Sequence, residues 1–460
     1  MTELHPLLIL AVGIATVVGL LLAFRIHAFL SLICAALVVS LLAPGDTVAK
    51  VSRVAEAFGR TAGGIGIVIA LAAVIGRCMI VSGAADRIVR AIMSLLGEKR
   101  APAAMTVSGY VLSIPVFFDT VFYLLIPLAR SLCRRVGGHY LLYVLAITVG
   151  AAATHALVPP TPGPLLVAEQ LGIDVGAMIG VGAMVALPAA VAGLLFAGFA
   201  DRKAPIPMKP LAGDSAQAPP SDDELPGLLP SILPIVLPVA LITSDTGARV
   251  LAGGAAPGSF FPALAQWTGI VGNPSFALLL SAAVALLVMQ RQRSLSRNEV
   301  AEAIEESLAS GGVIILITAA GGAFGAMLQA AGIGKALQEM ASIDSSSTGT
   351  TLLLAGFGIA SLLKVAQGSS TVAMIGASAI LGAMSPTAQM LGFHPAYLGT
   401  AIGSGSLVGS WMNDSGFWIY TKMGGFKETE SLRTWTPALV IVGGAGMLAT
   451  LILSAVLPLS

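Results

Sequence analysis

Long runs of apolar residues, separated by short polar stretches, recur along the whole chain. A helix needs about 20 apolar residues to cross a bilayer. The runs therefore predict about ten transmembrane helices, at residues 6–24, 27–43, 61–82, 139–158, 175–200, 227–243, 274–290, 311–332, 395–418 and 435–458. The first run lacks a basic leader and a small-residue cleavage site, which favours a membrane span over a cleaved signal peptide.

Two further apolar regions, 101–129 and 348–384, are interrupted near their middles by proline, glycine or polar residues. Irregular backbone at membrane depth is tolerated only where it is packed inside protein or lines a cavity. Each region therefore predicts a re-entrant hairpin made of two half-length segments. Residues 160–172 and 257–267 are expected to be short dips or surface segments.

The composition agrees with a membrane protein. Apolar residues make up 56% of the chain and charged residues only 10%, with a mean hydropathy of +0.91. A soluble chain carries roughly 25% charged residues. The net charge is +1 and no basic stripe is present, so we expect no nucleic-acid partner. The three cysteines and five histidines are scattered, which argues against a disulfide framework or a metal site, and we expect no cofactor.

The chain divides into two similar halves. A Pro- and Ser-rich stretch, 201–226, reads as a flexible cytoplasmic linker between residues 1–200 and 227–460. A shift of 249 positions aligns Gly76 with Gly325 and Gly83 with Gly332. Each half has five predicted crossings and one broken region, and an odd number of crossings inverts the second copy. The predicted fold is an all-α polytopic membrane protein with two inverted repeats, which is typical of secondary transporters, although chance similarity between glycine-rich spans remains an alternative.

Basic residues cluster in the loops at 87–100, 130–135, 202–209, 291–297 and 422–427. These loops share one side if the broken regions re-enter, and the positive-inside rule makes that side the cytoplasm. Both termini then lie outside. Lys50, Arg53 and Arg60 count against this orientation.

In the first broken region, Pro115 and Pro127 bracket Asp119, which Thr120 follows. An acid inside an apolar segment is a functional-site hypothesis. Asp119 is predicted to carry a proton or to bind a coupling cation. The alternatives are a helix cap or a partner for a buried base.

The second broken region contains KVAQGSSTVAM, in which polar residues are flanked by hydrocarbon on both sides. Gly-Ser-Ser before a new apolar helix predicts an N-cap, and the N–H groups there attract anions. The predicted substrate-binding residues are Lys364, Gln367, Gly368, Ser369, Ser370 and Thr371. The alternative is a serine-capped turn with Lys364 snorkelling to the interface.

Two more stretches place polar, proline and glycine residues at the ends of spans. The run Pro159–Pro164 predicts a rigid extended loop, and the run GSGSLVG predicts an interrupted helix. Candidate substrate contacts in these stretches are Thr154, His155, Pro160, Thr161, Ser404, Gly405, Asn413 and Asp414. Either Asp119 or Asp414 would carry a coupled proton. A structural role for the lone His155 is equally open, and Arg77 would meet an acid or reach an interface.

Five segments together resemble the gluconate permease family of bacterial secondary transporters: residues 115–129, 154–164, 321–337, 364–374 and 413–425. The resemblance covers nearly the whole chain. It implies proton-coupled uptake of gluconate or a related small hydroxylated carboxylate across the bacterial inner membrane. It also implies two re-entrant hairpins, a homodimer in the lipid bilayer and an elevator-type mechanism. Two positions depart from the family pattern: this chain has Thr161 where many members have histidine, and Lys364 where many have arginine.

Other functions remain open at this stage. A related carrier of D-serine or glycerate would need a similar hydroxyl-rich site. A channel would dissipate a gradient rather than accumulate solute. A membrane enzyme would need a nucleophile–base pair or a metal cluster, and the sequence suggests neither, so we expect a transporter and not an enzyme.

Overall fold

The computed structural model describes residues 5–46, 48–97, 100–136, 138–209, 222–253, 260–333, 348–412 and 414–459. All regular secondary structure in these ranges is helical. The first half contains α1 (Pro6–Val18), α2 (Ala28–Leu42), α3 (Ala49–Ser82), α4 (Ala84–Leu96), α5 (Ala101–Leu112), α6 (Phe118–Val136), α7 (Tyr140–Leu157), α8 (Pro162–Gln170) and α9 (Val175–Lys203). The second half contains α10 (Leu228–Gly253), α11 (Phe260–Val271), α12 (Pro274–Arg293), α13 (Arg297–Ala330), α14 (Thr348–Gln367), α15 (Ser370–Gly382), α16 (Ala388–Leu391), α17 (Ala396–Gly405), α18 (Ser415–Gly424) and α19 (Glu428–Val456). Single turns of other helix types follow α1, at Gly19–Ala23, and precede α10, at Asp222–Glu224.

Seven helical segments in the described ranges are long and apolar enough to cross a membrane. They are Ala49–Ser82, Tyr140–Gln170, Val175–Lys203, Leu228–Arg249, Pro274–Arg293, Arg297–Ala330 and Glu428–Val456. The predicted spans at 6–24 and 27–43 correspond to the shorter apolar helices α1 and α2. The predicted span at 395–418 is not one continuous helix, because α17 ends at Gly405 and α18 begins at Ser415. The interruption expected from the Gly-Ser run is therefore present.

Both broken regions divide into two helices. In the first, residues 113–117 separate α5 from α6. In the second, Gly368 and Ser369 separate α14 from α15, and Gly368 adopts a φ of 89°, a conformation that favours glycine. The predicted breaks are thus confirmed at their expected positions.

The proline-rich loop ends earlier than the predicted stretch Pro159–Pro164. Only residues 158–161 are non-helical, and α8 already begins at Pro162. Pro162 and Pro164 lie in the first turn of α8, where a helix has no internal partner for its N–H groups and proline is tolerated. Residues Pro162–Ala168 are buried, so this segment is an interior half-helix and not a surface segment.

Two groups of helices surround the broken segments. In one group, α3 and α13 pack along each other and against α2 and α12. In the other, α7 packs between α5 and α9, and α19 contacts α9 and α17. The half-helices α8 and α15 pack together and against α13, so they lie between the two groups.

Glycine allows close crossings in the second group. A Cβ atom at Gly150 of α7 would lie 2.1 Å from the carbonyl oxygen of Thr106 in α5. A Cβ atom at Gly182 of α9 would lie 2.1 Å from the carbonyl oxygen of Leu157 in α7. These crossings hold the end of α7 in place, directly before the break at 158–161.

The expected linker, 201–226, is held at both ends. The helix α9 continues to Lys203, and residues 210–221 lie outside the described part of the chain. Before them, Lys209 Nζ lies 2.6 Å from Glu430 Oε2. After them, Gln292 Nε2 donates to the Glu224 carbonyl oxygen at 2.9 Å. The described ends of the linker are therefore bonded to the helical bundle, and the flexibility of the linker stays a prediction.

Candidate functional site

A buried lysine marks the second broken region. Lys364 lies in the last turn of α14, and its side chain is only 1% exposed. Its Nζ donates to the Gly368 carbonyl oxygen at 2.6 Å, to Ser370 Oγ at 3.0 Å and to Asp414 Oδ2 at 2.6 Å. An ammonium group has three N–H donors, so all three are engaged. The side chain does not snorkel, so this part of the alternative is wrong.

Asp414 is the anionic partner of this lysine and lies at the third break, between α17 and α18. Its Oδ2 also accepts a hydrogen bond from Ser410 Oγ, and its Oδ1 accepts from the Gly416 backbone N–H at 2.9 Å. Asp414 is thus the N-cap of α18. Trp435 Nε1 on α19 donates to Ser410 Oγ at 2.7 Å, which fixes the serine hydroxyl that bonds the carboxylate.

The beginning of α15 meets the beginning of α8. Ser369 is the N-cap of α15, because its Oγ accepts from the Val372 N–H at 3.3 Å. A Cβ atom at Gly163 would lie 3.7 Å from Thr371 Cα and 2.0 Å from the Cε methyl group of Met374. Only glycine therefore permits this approach without movement of the methionine. Two positive helix ends come together at this contact.

Asp119 and His155 lie beside the ion pair. Asp119 is in the first turn of α6, and its carboxylate is close enough to interact electrostatically with Asp414. His155, in the last turn of α7, interacts electrostatically with both Lys364 and Asp414. The ring of Phe117 contacts the His155 ring edge to face, with centroids 6.5 Å apart. The structure thus brings together side chains from all the broken segments.

Four helices, α6, α8, α15 and α18, begin in this region. Helix N-termini carry partial positive charge and unsatisfied N–H groups, which together favour an anion. Six of the predicted residues around them are half-buried rather than sealed: Asp119, Thr120, His155, Ser369, Ser370 and Thr371. Within the described ranges no hydrogen bond to the Asp119 carboxylate is found, and His155 Nδ1 is buried without a partner. The arrangement can hold a small anion with polar groups around it.

Other predicted residues have their polar groups turned into the protein. Thr154 Oγ1 donates to the Gly150 carbonyl oxygen at 3.3 Å, and Thr161 Oγ1 donates to the Val158 carbonyl oxygen at 2.6 Å. Pro160 is buried as well. These three residues shape the break between α7 and α8, and their direct contact with a ligand stays a prediction.

The predicted residues of α17, Ser404 and Gly405, are also buried in the protein. Gly405 packs against the backbone of Phe357, where a Cβ atom would lie 2.2 Å from the carbonyl oxygen. Ser404 Oγ is buried beside Gly446 and has no hydrogen-bond partner within the described chain. Asn413 and the side chain of Gln367 lie outside the described residues.

Arg77 meets an acid, as one prediction had it, since its guanidinium lies 2.5 Å from Glu306 of α13.

Sequence reasoning missed Ser406, Ser410 and Trp435. Ser406 contributes its carbonyl oxygen to Ser370 Oγ at 2.9 Å. The two serines stand in the polar run between α17 and α18, which was a usable signal. Trp435 lies in an apolar span, where a tryptophan gives no sign of a polar role.

Comparison with known proteins identifies the family. Residues 5–456 match the sequence model described as GntP family permease. The chain belongs to this family. It is 33% identical to a gluconate permease of Pseudomonas aeruginosa, over 98% of this chain and 99% of that protein. It is 30% identical to the Gnt-II system L-idonate transporter of Escherichia coli K12, over 98% of this chain and 100% of that protein. It is also 30% identical to the low-affinity gluconate transporter of the same strain, over 98% of this chain and 99% of that protein.

Two solved transporter structures share the fold of the permease. The Alcanivorax borkumensis YdaH transporter matches with a TM-score of 0.63 and 14% identity, over 99% of both chains. Neisseria gonorrhoeae MtrF matches with a TM-score of 0.64 and 17% identity, over 96% of this chain and 97% of that one. Family membership and the long apolar helices make the chain a multi-pass permease of the cytoplasmic membrane, and not an enzyme.

Proposed function

We propose that this permease is a secondary active transporter that carries gluconate, or a related small sugar acid, into the cell together with protons. The observation that carries the proposal is the buried Lys364–Asp414 pair at the point where four helix N-termini converge. The names of the relatives, which transport gluconate and L-idonate, support a sugar acid as the substrate. The same names do not favour D-serine or glycerate.

The substrate carboxylate would bind between Lys364 and the first turn of α15. This position combines a cation with N–H groups at a helix end, both of which stabilise an anion. The hydroxyl groups of the sugar acid would contact the half-buried hydroxyls of Ser369 and Thr371, with the segments around Thr161 and Asn413 enclosing the ligand. Asp119 or Asp414 would carry the proton.

The architecture that we propose is a pair of inverted repeats that move as an elevator within a homodimer. In support, α3 and α13 each have 34 residues and α9 and α19 each have 29. Breaks follow in the same order in each half, first within the hairpin and then before the last long helix. The placement of α8 and α15 between the two helix groups would suit a moving unit that slides against a fixed one.

Proton coupling has a physical reason. Moving an anion into a cell against a negative interior requires about 2.3 kcal/mol per charge per 100 mV. Co-transport of one proton removes this penalty, because the pair crosses without net charge. A carrier that accumulates a sugar acid therefore benefits from a proton, as long as the site can hold both.

Uptake into proteoliposomes tests the function. An inward proton gradient should drive accumulation of radiolabelled gluconate above the external concentration, and a protonophore should abolish it. Excess unlabelled L-idonate should compete, whereas D-serine should not. Lys364→Met should remove uptake, and Lys422→Met, at a lysine whose side chain is 68% exposed, serves as the matched control. Accumulation that requires Na⁺ and ignores pH would contradict the proton assignment, and equilibration without accumulation would indicate a channel.

A further inference from the structure

In the Lys364–Asp414 ion pair, the Asp414 carboxylate already bonds the ammonium group that the substrate carboxylate is proposed to bind. We propose that the substrate carboxylate and the Asp414 carboxylate compete for the ammonium group of Lys364, so that the substrate binds only after Asp414 has taken up a proton. This inference rests on the proposed function, because it names how the coupled proton enters that same site.

Every N–H donor of the Lys364 ammonium group is engaged. Its three N–H bonds end on the Gly368 carbonyl oxygen, Ser370 Oγ and Asp414 Oδ2. An incoming carboxylate must therefore replace one of these acceptors. The Gly368 carbonyl belongs to the backbone of the break, and the Ser370 hydroxyl is itself held by its bond to Ser406. Asp414 is the acceptor among the three that can lose its charge.

Charge also opposes the binding of a carboxylate beside an ionised Asp414. The charges of Lys364 and Asp414 cancel each other. A substrate carboxylate beside an ionised Asp414 would place two negative charges on one buried cation, with Asp119 close by as well. Like charges in a buried site repel strongly, and one of them is driven to the neutral form. With a proton on Asp414, the substrate restores neutrality with Lys364.

The proton step balances. A proton from water binds an Asp414 oxygen, and Lys364 keeps its three protons throughout. The Lys364–Asp414 ionic hydrogen bond is replaced by one between Lys364 and the substrate carboxylate. Neutral Asp414 keeps the Gly416 N–H bond at its other oxygen and the contact with Ser410. One proton therefore enters with each carboxylate.

Other charged groups near Asp414 could compete for this role. Lys364 faces it from α14, Asp119 from α6 and His155 from α7, whereas the hydrogen-bond donors Ser410 and Gly416 are neutral. Protonation of Asp119 or His155 would leave the bond between Lys364 and Asp414 intact. Only Asp414 joins the proton to the release of the ammonium group. Glu428, a 45% exposed carboxylate in the first turn of α19, supplies a control outside the site.

Proton uptake on binding tests the inference with purified full-length protein in weakly buffered detergent solution. Gluconate is added near neutral pH, its binding is measured by calorimetry, and the released or absorbed protons are followed with a pH indicator. The wild type and Glu428→Gln should take up about one proton per gluconate bound, as a single linked site requires. Asp414→Asn should bind gluconate with no proton uptake, because its amide is already neutral.

The pH dependence of the wild type gives a second measurement that does not depend on the folding of a variant. The affinity for gluconate should fall by about tenfold per pH unit on the alkaline side, since the required proton becomes scarcer. Proton uptake by Asp414→Asn, its loss in Glu428→Gln, or an affinity of the wild type that does not change between acid and alkaline pH would each overturn the inference. Failure of the wild type to bind gluconate at all would instead overturn the proposed function.

Discussion

Gly182 of α9 offers a sharp test of how helix packing holds the site, because Gly180 on the same helix is a natural control. A Cβ atom at Gly182 would lie 2.1 Å from the carbonyl oxygen of Leu157, whereas ordinary contact begins at 3.4 Å. The atom that it meets is backbone, so α7 and α9 must separate by about 1 Å to accept alanine. Nothing lies within 4 Å of a Cβ atom at Gly180.

The two substitutions should have opposite effects on stability. Gly182→Ala overpacks a tight crossing, for which the typical loss is about 1–3 kcal/mol. Gly180→Ala introduces no clash and gains helix propensity of about 0.8–1.0 kcal/mol relative to glycine. Leu157 is followed directly by the break at 158–161, so the displacement at Gly182 should also reach His155 and reduce gluconate uptake.

Thermal unfolding in detergent, followed by intrinsic fluorescence, measures the first effect, and proteoliposome uptake measures the second. We expect a lower midpoint for Gly182→Ala than for the wild type and an equal or higher one for Gly180→Ala. Equal midpoints for the two variants would refute the argument, because they would show that the crossing between α7 and α9 is loose enough to accept a methyl group.

Three further predictions concern the ion pair and its supports. Lys364→Met should destabilise the protein by about 3–5 kcal/mol, since it leaves a buried charge unpaired; adding Asp414→Asn should recover most of the loss in unfolding measurements, and additive losses would argue against the pair. Ser369→Ala removes the N-cap of α15 and should lower stability by about 0.5–2 kcal/mol, which thermal unfolding would detect and an unchanged midpoint would contradict. Trp435→Phe keeps an aromatic ring but removes the donor to Ser410, so stability should fall by about 1 kcal/mol and the KM for gluconate should rise. Both effects should disappear in a Ser410→Ala background. Their persistence there would show that they come from ring packing.

Hydropathy was enough to predict the membrane class and the positions of the breaks. Both signals are local: a long apolar run needs a bilayer, and a cluster of proline, glycine and polar residues inside such a run favours a break in the helix. The N-cap at Ser369 followed from the same local chemistry. The proline run misled because proline is compatible with the first turn of a helix, and the sequence does not show where that turn begins.

The partners within the site were harder to predict, because they come from distant parts of the chain. Lys364 and Asp414 were both candidates, yet nothing in the sequence pairs residues that are 50 positions apart. Trp435 was missed since its indole N–H acts through Ser410, and this relation exists only after α19 has packed. Periodicity describes one helix at a time, whereas these contacts join several.

The late position of α19 in the chain has a consequence for biosynthesis. Domains generally fold in the order in which the ribosome releases them. Here Glu430 bonds Lys209 and Trp435 supports the network of Asp414, although both belong to a helix made after all the others. Until this helix inserts, Lys209 and Ser410 lack these partners. A ribosome that stalls before residue 428 would therefore leave an incompletely packed polypeptide that quality-control proteases can recognise.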